Sequence, residues 1–266
     1  MSAVQAIVLA LVQGITEFLP ISSSAHLVLA SWWMGWEDQG LHFDMAVHVG
    51  SLVAIVAYLR SDLAGILRAF SARGGAAETS QRRLGWQIVV ATLPVGALGW
   101  VLQDSVEGSA RDPLIIAVCS IAFGVALWAA DRYGSRRLGI GDLSWAAVAL
   151  VGLAQALALV PGTSRSGVVM TACLCFGLGR TAAARFAFLL AVPVMLLVAS
   201  KNAADLLSGS VVAPDWSALV VGFVVSAIAS WLAVDWLLGW LRRQSMTVFA
   251  LYRVILGLGI LVHSLL

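Results

Sequence analysis

Charged side chains are scarce in this sequence of 266 residues. Asp, Glu, Lys and Arg make up only 11% of it, whereas hydrophobic residues make up 61%. Soluble domains carry about 25% charged residues. The shortage of charge excludes an ordinary soluble domain and predicts an integral membrane protein, whose solvent is the bilayer.

Cysteine is also scarce, and its three positions argue against a disulfide framework. Cys119, Cys173 and Cys175 lie in apolar segments, in odd number and without framework spacing. We interpret them as buried thiols, since no Cys and His zinc pattern accompanies them. The sequence also lacks a glycine-rich nucleotide loop and a basic tract, so we expect no nucleic-acid partner.

Apolar segments long enough to cross a bilayer, which takes about 20 residues, occur six times. They are residues 41–59, 84–102, 113–130, 183–200, 216–237 and 247–266. Two further apolar stretches, residues 4–33 and 143–178, are interrupted by polar residues at 20–24 and 161–167. Each arm of these stretches is too short to cross the membrane alone. Each stretch is therefore either a hairpin that enters and returns or one interrupted span.

Loop charges predict the orientation in the membrane. The arginine-rich loops are residues 60–83, 131–142 and 240–245, and the positive-inside rule places them in the cytoplasm. The other loops, residues 35–40, 104–112 and 201–215, are acidic or nearly neutral, which places them outside. Counting the spans puts residues 131–142 and 179–181 on the same side, so the stretch 143–178 should enter and leave from the cytoplasm. If the first stretch is also a hairpin, both termini lie outside.

The two interrupted stretches resemble each other at an offset of 142 residues. The matched pairs are Gln13 and Gln155, Ser22 and Ser164, and Ser24 and Ser166. Each stretch precedes three spans, and because three is odd, the second half would lie inverted relative to the first. We therefore predict an all-α integral membrane protein of one domain, residues 1–266. It would have six transmembrane helices plus two re-entrant helical hairpins, in inverted-topology repeats of about 1–130 and 143–266.

The first interruption contains a carboxylate at membrane depth. Glu17 follows Gln13 by four residues, so the two side chains share one helical face. A carboxylate there costs about 2.5–3.5 kcal/mol and needs a partner or a wet cavity. Glu17 is either half of a structural pair, a general base or a metal ligand, and Gln13 could add a carbonyl oxygen to a hard cation.

Ser22, Ser23, Ser24 and His26 follow directly. One serine is expected as a helix N-cap, a position that Ser favours. Capping does not require three serines or a histidine, whereas a hydroxyl near a titratable imidazole is typical of a nucleophile with a proton carrier. Both interpretations stay open at this point.

Arg165 stands between Ser164 and Ser166 in an apolar stretch. Its guanidinium stays charged at neutral pH and needs an anion, either Glu17 or a substrate phosphate gripped by two hydrogen bonds. Helices starting after Ser24 and Ser166 would add backbone N–H donors and positive dipole ends.

For the other polar residues, structural or solvated roles are favoured over catalytic ones. Asp44 and His48 share a helical face near the outer end of the first span. They either border the site or are solvated at the membrane interface, and the second interpretation is favoured. Asp235 and Arg253 are expected to pair or to extend their polar ends from the helix ends toward water.

The motifs around these residues resemble the bacterial undecaprenyl pyrophosphate phosphatases of the bacitracin-resistance type. The resemblance rests on residues 13–20 (QGITEFLP), 22–26 (SSSAH) and 161–166 (PGTSRS), and it extends over the whole chain. The family more often has Glu where Gln13 stands, and Val169 replaces the Thr that closes the family's second signature.

The resemblance implies an enzyme of lipid-carrier recycling. It would convert undecaprenyl diphosphate to the monophosphate and inorganic phosphate with Mg²⁺ or Ca²⁺, at a site open to the outer face of the bacterial cytoplasmic membrane. By position, Ser23 is the proposed nucleophile, Glu17 and His26 handle protons or metal, and Gln13 assists. The phosphate-binding residues would be Ser22, Ser24, Ser164, Arg165 and Ser166.

Two other functions remain open from the sequence alone. A transporter or flippase of a polyprenyl phosphate lipid would use the same inverted repeat, but it would need no nucleophile. A catalytically inactive relative that binds the lipid would explain Val169. The sequence also leaves open whether the chain forms a homodimer.

Overall fold

The computed structural model describes residues 1–37, 39–71, 75–109, 112–207 and 215–265. These residues form eleven α-helices and, within the described ranges, no strand. In chain order the helices are α1 Ala3–Thr16, α2 Ser23–Met34, α3 Gly40–Tyr58, α4 Arg60–Ser71, α5 Ala76–Ser109, α6 Pro113–Tyr133, α7 Trp145–Ala156, α8 Arg165–Cys175, α9 Arg180–Leu207, α10 Trp216–Leu241 and α11 Thr247–Leu265. The predicted all-α class is confirmed.

Five of these helices are long and apolar enough to cross a membrane: α5, α6, α9, α10 and α11. The pair α3 and α4 passes the same criterion together but bends by 71° at Leu59, so the described residues contain five or six candidate spans by length and composition. Each of the six predicted segments coincides with one of these helices or with α3. The helices α1, α7 and α8 are apolar but shorter.

The segment 60–83 is not the loop that its charges suggested. Residues 72–74 are not among the described residues, and all of its other residues except Gly75 are helical, in α4 and the first part of α5. The buried residues of α4 are Ile66 and Ala69, and Arg185 of α9 donates to both oxygens of Asp62, at 2.8 and 2.7 Å. An amphipathic segment with an apolar partner folds as a helix even when it is charged, which charge counting does not reveal.

Both predicted interruptions are real breaks in helical structure. The first separates α1 from α2 and the second, after a short 3₁₀ turn, separates α7 from α8. The N-cap residues of α2 and α8 are Ser22 and Ser164, with φ of 73° and 68°. Positive φ is uncommon outside glycine and concentrates at functional sites. The helices begin at Ser23 and Arg165, slightly earlier than expected.

The ends of each interrupted stretch lie side by side. Leu138 N–H donates to Gly177 O at 2.9 Å, and Gly179 N–H donates to Leu138 O at 3.0 Å. Residues 131–142 and 179–181 are therefore adjacent, whereas the prediction concerned only the side of the membrane on which they lie. At the first stretch, Ser2 and Trp36 line one cavity. Parts of the predicted outer loops, residues 38, 110–111 and 208–214, lie outside the described residues, as does residue 266 of the last predicted span.

Close helix packing fixes the first break against the rest of the chain. The helix α10 packs across both α1 and α3. A Cβ added to Gly14 would lie 2.7 Å from Ser226 O, and one added to Gly50 would lie 2.3 Å from Phe223 O. Glycines let helix backbones approach closely in membranes. This packing holds the end of α1, and with it Glu17, in one place.

Candidate active site

Glu17 is the centre at which the two breaks meet. Its carboxylate accepts a hydrogen bond from Gln13 Nε2 at 2.8 Å and one from Ser23 Oγ at 2.6 Å. Its other oxygen pairs with Arg165 Nη2, which comes from the second break. The residue is only 7% exposed. One carboxylate thus joins α1, the start of α2 and the start of α8.

The contact between Ser23 and Glu17 is that of a hydroxyl with a proton acceptor. Ser23 opens α2, so its hydroxyl lies at the positive end of that helix. A serine hydroxyl becomes a useful nucleophile only when a base stands within hydrogen-bond reach. The Oγ to Oε2 distance of 2.6 Å meets this requirement.

These residues line a cavity of ≈ 350 Å³. Its polar lining is Glu17, Ser22, Ser23, Ser24, Asp44, His48, Ser164, Arg165 and Asn202. Its apolar lining comes mainly from α3 and α9 and includes Met45, Val49, Leu52, Val194, Met195 and Val198. A cavity lined by both polar and apolar side chains suits a molecule that carries an anionic head on a hydrocarbon chain.

The serines of the two breaks are arranged in different ways. Ser164 Oγ accepts from Gly167 N–H at 3.1 Å and so caps α8, and it lies 3.2 Å from Ser166 Oγ. Ser166 donates to Leu19 O at 2.9 Å, which ties the second break to the first. Ser166 does not line the cavity, whereas Ser22 and Ser24 do, with hydroxyls 3.3 Å apart.

His26 lies away from the cavity. Its Nδ1–H donates to Ser22 O at 2.7 Å, so Nε2 accepts from Tyr252 O–H at 2.6 Å in the neutral ring. The two rings stack with centroids 5.6 Å apart. The hydrogen-bond partner of the Ser23 hydroxyl is therefore Glu17, whereas His26, the proton carrier suggested by the sequence, bonds to Ser22 O and Tyr252.

Asp44 and His48 line the cavity, so the structure supports the less favoured of the two interpretations, that they border the site. His48 Nδ1–H donates to Asp44 O at 2.7 Å, and its Nε2 lies 3.7 Å from Glu17 Oε2. Gln39 Nε2 donates to Asp44 Oδ1 at 2.7 Å. Their shared helical face was a usable signal, but the sequence could not reveal that this face turns toward Glu17.

Arg253 does not extend toward water, and it does not pair with Asp235. It is fully buried in α11, and its guanidinium donates to three carbonyl oxygens of the two breaks. Asp235 instead accepts from Tyr58 O–H at 3.0 Å. The signal that identified Arg165, a lone arginine in an apolar stretch, applied equally to Arg253.

The residues expected to hold a divalent cation lie together. Gln13 is fully buried and its Oε1 has no hydrogen-bond partner in the part of the chain described. Amide O and N are assigned from their neighbours, and the reverse orientation would place Oε1 beside Glu17, where a hard cation could join the two oxygens. Those same ranges hold no group of three or more His, Cys, Asp or Glu suited to a metal, so a cation would also need oxygens from a bound phosphate.

Comparison with known proteins identifies the family. The family model described as "Bacitracin resistance protein BacA" matches residues 6–259. The chain belongs to this family. Its family and its long apolar helices together make it a multi-pass membrane protein.

Curated relatives match nearly end to end. The chain is 46% identical over 263 residues to "Undecaprenyl-diphosphatase 1" of Pseudoalteromonas translucida, with 98% of each chain covered. It is 47% identical over 265 residues to "Undecaprenyl-diphosphatase" of Magnetococcus marinus, again with 98% of each covered. The protein of the same name from Chromohalobacter salexigens is 48% identical over 259 residues, which cover 96% of this chain and 97% of that one.

Proposed function

We propose that this chain is an undecaprenyl-diphosphatase, which hydrolyses undecaprenyl diphosphate to undecaprenyl phosphate and inorganic phosphate. The relatives carry that name over almost the full chain. The observation that supports it within the site is the Ser23 hydroxyl hydrogen-bonded to Glu17 beside Arg165. The reaction returns the lipid carrier to cell-wall synthesis.

Arg165 is proposed to hold the diphosphate. Its guanidinium lines the cavity, and its carboxylate partner is an anion that a phosphate can replace. The helices α2 and α8 begin at Ser23 and Arg165, which both line the cavity, and helix N-termini favour bound anions. Together these groups would neutralise the charge of the head group and the charge that develops during reaction.

Ser23 is proposed as the nucleophile and Glu17 as its base. Ser23 Oγ attacks the terminal phosphorus while Glu17 takes its proton, and the bond from that phosphorus to the bridging oxygen breaks. Undecaprenyl phosphate leaves, and water then hydrolyses the phosphoserine, so one water is consumed in total. If Ser23 instead orients the water, the same proton goes to Glu17. A carrier would need the anion site but no such base and hydroxyl pair, so hydrolysis is favoured over transport.

The cation is a separate proposal. Gln13, Glu17 and Ser23 supply oxygens of the kind that Mg²⁺ and Ca²⁺ bind. When bound, the cation would neutralise phosphate oxygens and polarise the reacting phosphorus. Activity measured across a Mg²⁺ and Ca²⁺ titration after chelation tests this, and full activity in the chelated enzyme would contradict it.

For the architecture we propose six spans and two re-entrant hairpins in an inverted repeat. In support, the arms of each broken stretch pack together, α1 with α2 and α7 with α8, and the ends of each stretch are adjacent. The packing of α1 on α10 has its counterpart in α7 on α5. The matched residues Ser22 and Ser164 also share one unusual backbone conformation.

We also propose that the protein lies in the bacterial cytoplasmic membrane with its site facing the outer side. Asp44 and Asn202 border the cavity, and both are near or within the loops predicted outside, residues 35–40 and 201–215. A homodimer is a separate proposal, which the mass of the detergent-solubilised protein tests.

Phosphate release from undecaprenyl diphosphate by the purified protein is the decisive measurement. The unmodified chain should release phosphate, and Ser23→Ala should release almost none. Lipid binding without release by the unmodified chain would instead identify an inactive relative. Lipid movement across a vesicle without release would identify a carrier.

A second experiment tests His26. Because it does not line the cavity and donates to Ser22 O, we propose that it positions the first break and does not carry a proton in the reaction. His26→Asn should then lower the rate yet leave the shape of the pH–rate profile unchanged. Loss of one limb of that profile would make His26 the proton carrier.

A further inference from the structure

Arg253 is a permanently charged side chain that pairs with no carboxylate among the described residues. It is 0% exposed and is among the largest fully buried side chains of the described residues. No described carboxylate lies within 4.0 Å of its nitrogens, although Glu17 pairs with Arg165 nearby. A guanidinium keeps its proton even when buried, so this charge must be solvated by dipoles.

Backbone carbonyls of both breaks provide those dipoles. Arg253 Nη1 donates to Pro20 O at 3.3 Å, and Nη2 donates to Gly162 O and Thr163 O, each at 2.8 Å. Pro20 stands just before the turn that carries Ser23, and Thr163 stands two residues before Arg165. One guanidinium therefore joins the segments that carry the proposed nucleophile and the proposed phosphate ligand.

Two glycines make the room that this side chain occupies. A Cβ added to Gly124 of α6 would lie 3.0 Å from Arg253 Cβ, and one added to Gly167 of α8 would lie 2.7 Å from Arg253 Nη1. Any larger residue at either position would press on the arginine. Arg253 thus occupies a fitted space between α11 and the two helices α6 and α8 rather than a loose gap.

We propose that Arg253 is a positioning residue for phosphate chemistry, which rests on the proposed hydrolase function. Its guanidinium, by bonding to both breaks, fixes the position of Ser23 relative to Arg165. Its uncompensated charge also raises the positive potential beside the site, which favours a bound phosphate. It would touch neither the substrate nor the reacting atoms.

The two contributions can be separated, because lysine keeps the charge but cannot bridge both breaks. An ammonium donates from one nitrogen, whereas the guanidinium donates from two ends of a rigid fork. Arg253→Lys should lower kcat by about 10- to 100-fold, as misplaced reacting groups do. It should leave the affinity for inorganic pyrophosphate nearly unchanged. Arg253→Met should lower both.

The matched control is Arg180→Lys. Arg180 donates to both oxygens of the buried Asp131, at 2.5 and 3.0 Å, and it does not line the cavity. The Arg180→Lys variant should have a lower melting temperature but an unchanged kcat per folded molecule. The readouts are kcat and KM for undecaprenyl diphosphate, and the rise in melting temperature on adding pyrophosphate. If Arg253→Lys does not fold, Gly167→Ala, which crowds Nη1, takes its place, with Gly239→Ala as its control.

Several results would overturn the proposal. One is a kcat within about threefold of the unmodified protein in Arg253→Lys. Another is an equal loss of kcat per folded molecule in Arg180→Lys. If the unmodified protein releases no phosphate while pyrophosphate still stabilises it, and Arg253→Met weakens that effect, the hydrolase assignment fails and the charge contribution of Arg253 stands. If pyrophosphate stabilises Arg253→Met as strongly as the unmodified protein, the charge contribution fails.

Discussion

Replacing Arg165 by lysine separates a phosphate ligand from a structural counter-ion. Arg165 Nη2 pairs with the 7% exposed carboxylate of Glu17. Arg165→Met would leave that buried carboxylate unpaired, at a cost of about 3–5 kcal/mol, and would confuse folding with function. Arg165→Lys keeps a positive charge beside Glu17, so the free energy of unfolding should fall by much less than in Arg165→Met.

The expected loss of activity follows from the hydrogen bonds that lysine cannot make. A guanidinium grips a phosphate with two parallel bonds, and an ammonium replaces them with one. One bond to a charged group is worth about 1.5–3 kcal/mol. At about 1.4 kcal/mol for each factor of ten, this is a loss of about 10- to 160-fold in kcat/KM. We expect about 100-fold, because charge on the phosphoryl oxygens makes the upper half of that range apply.

The assay is phosphate release from undecaprenyl diphosphate, with thermal unfolding in the same detergent. Arg185→Lys is the matched control, because Arg185 also donates to a carboxylate, that of Asp62, but does not line the cavity. That variant should keep its kcat/KM within about twofold. Near-full activity in Arg165→Lys would make Arg165 a counter-ion of Glu17 and would refute the phosphate role.

Three further outcomes test the site, the orientation and the packing. Ser23→Ala and Glu17→Gln should each lower kcat by about 1,000-fold or more, and the double variant should be little worse than either single one, because residues that act as a unit are non-additive; rates that fall by the product of the single losses would separate their roles. A cysteine placed at Asp215 should react with an impermeant reagent added outside whole cells while one placed at Arg136 should not, and the reverse pattern would invert the topology. Gly50→Ala should lower the free energy of unfolding by about 1–3 kcal/mol, since its Cβ would meet α10, and an unchanged melting temperature would contradict the packing of α3 on α10.

Much of the site could be predicted because its residues stand in short motifs. Glu17 and Ser23 are six residues apart, and a local break between two helix arms is enough to suggest that they meet. His26 is only three residues from Ser23, yet the structure does not place it in the cavity. It lies on α2 but on the side that faces Tyr252, 226 residues away, and nothing local distinguishes that face from the one toward Glu17.

The sequence did not determine which residues the second break contacts. The pairing of Glu17 with Arg165 joins residues 148 apart, and it was one of two alternatives until the helices were in place. The membrane interface was the favoured position for Asp44 and His48, because the sequence indicates how deep they lie along α3 but not which other helices face them. The cavity they line exists only because α3, α9 and the two breaks surround it.

The sequence by itself determined the membrane class, the apolar segments, the two breaks and the residues at each of them. Those features are written in consecutive residues, because hydropathy, helix period and turn chemistry act over one or two helical turns. The tertiary structure decided the bend between α3 and α4 and the position of His48 beside Glu17. It also decided the hydrogen bonds from Arg253 to carbonyl oxygens that are 233 and about 90 residues away in the chain. Such contacts depend on which helix faces meet, and in a membrane that is set by close packing of small residues rather than by the hydrophobic pattern, since every face of an apolar helix reads alike.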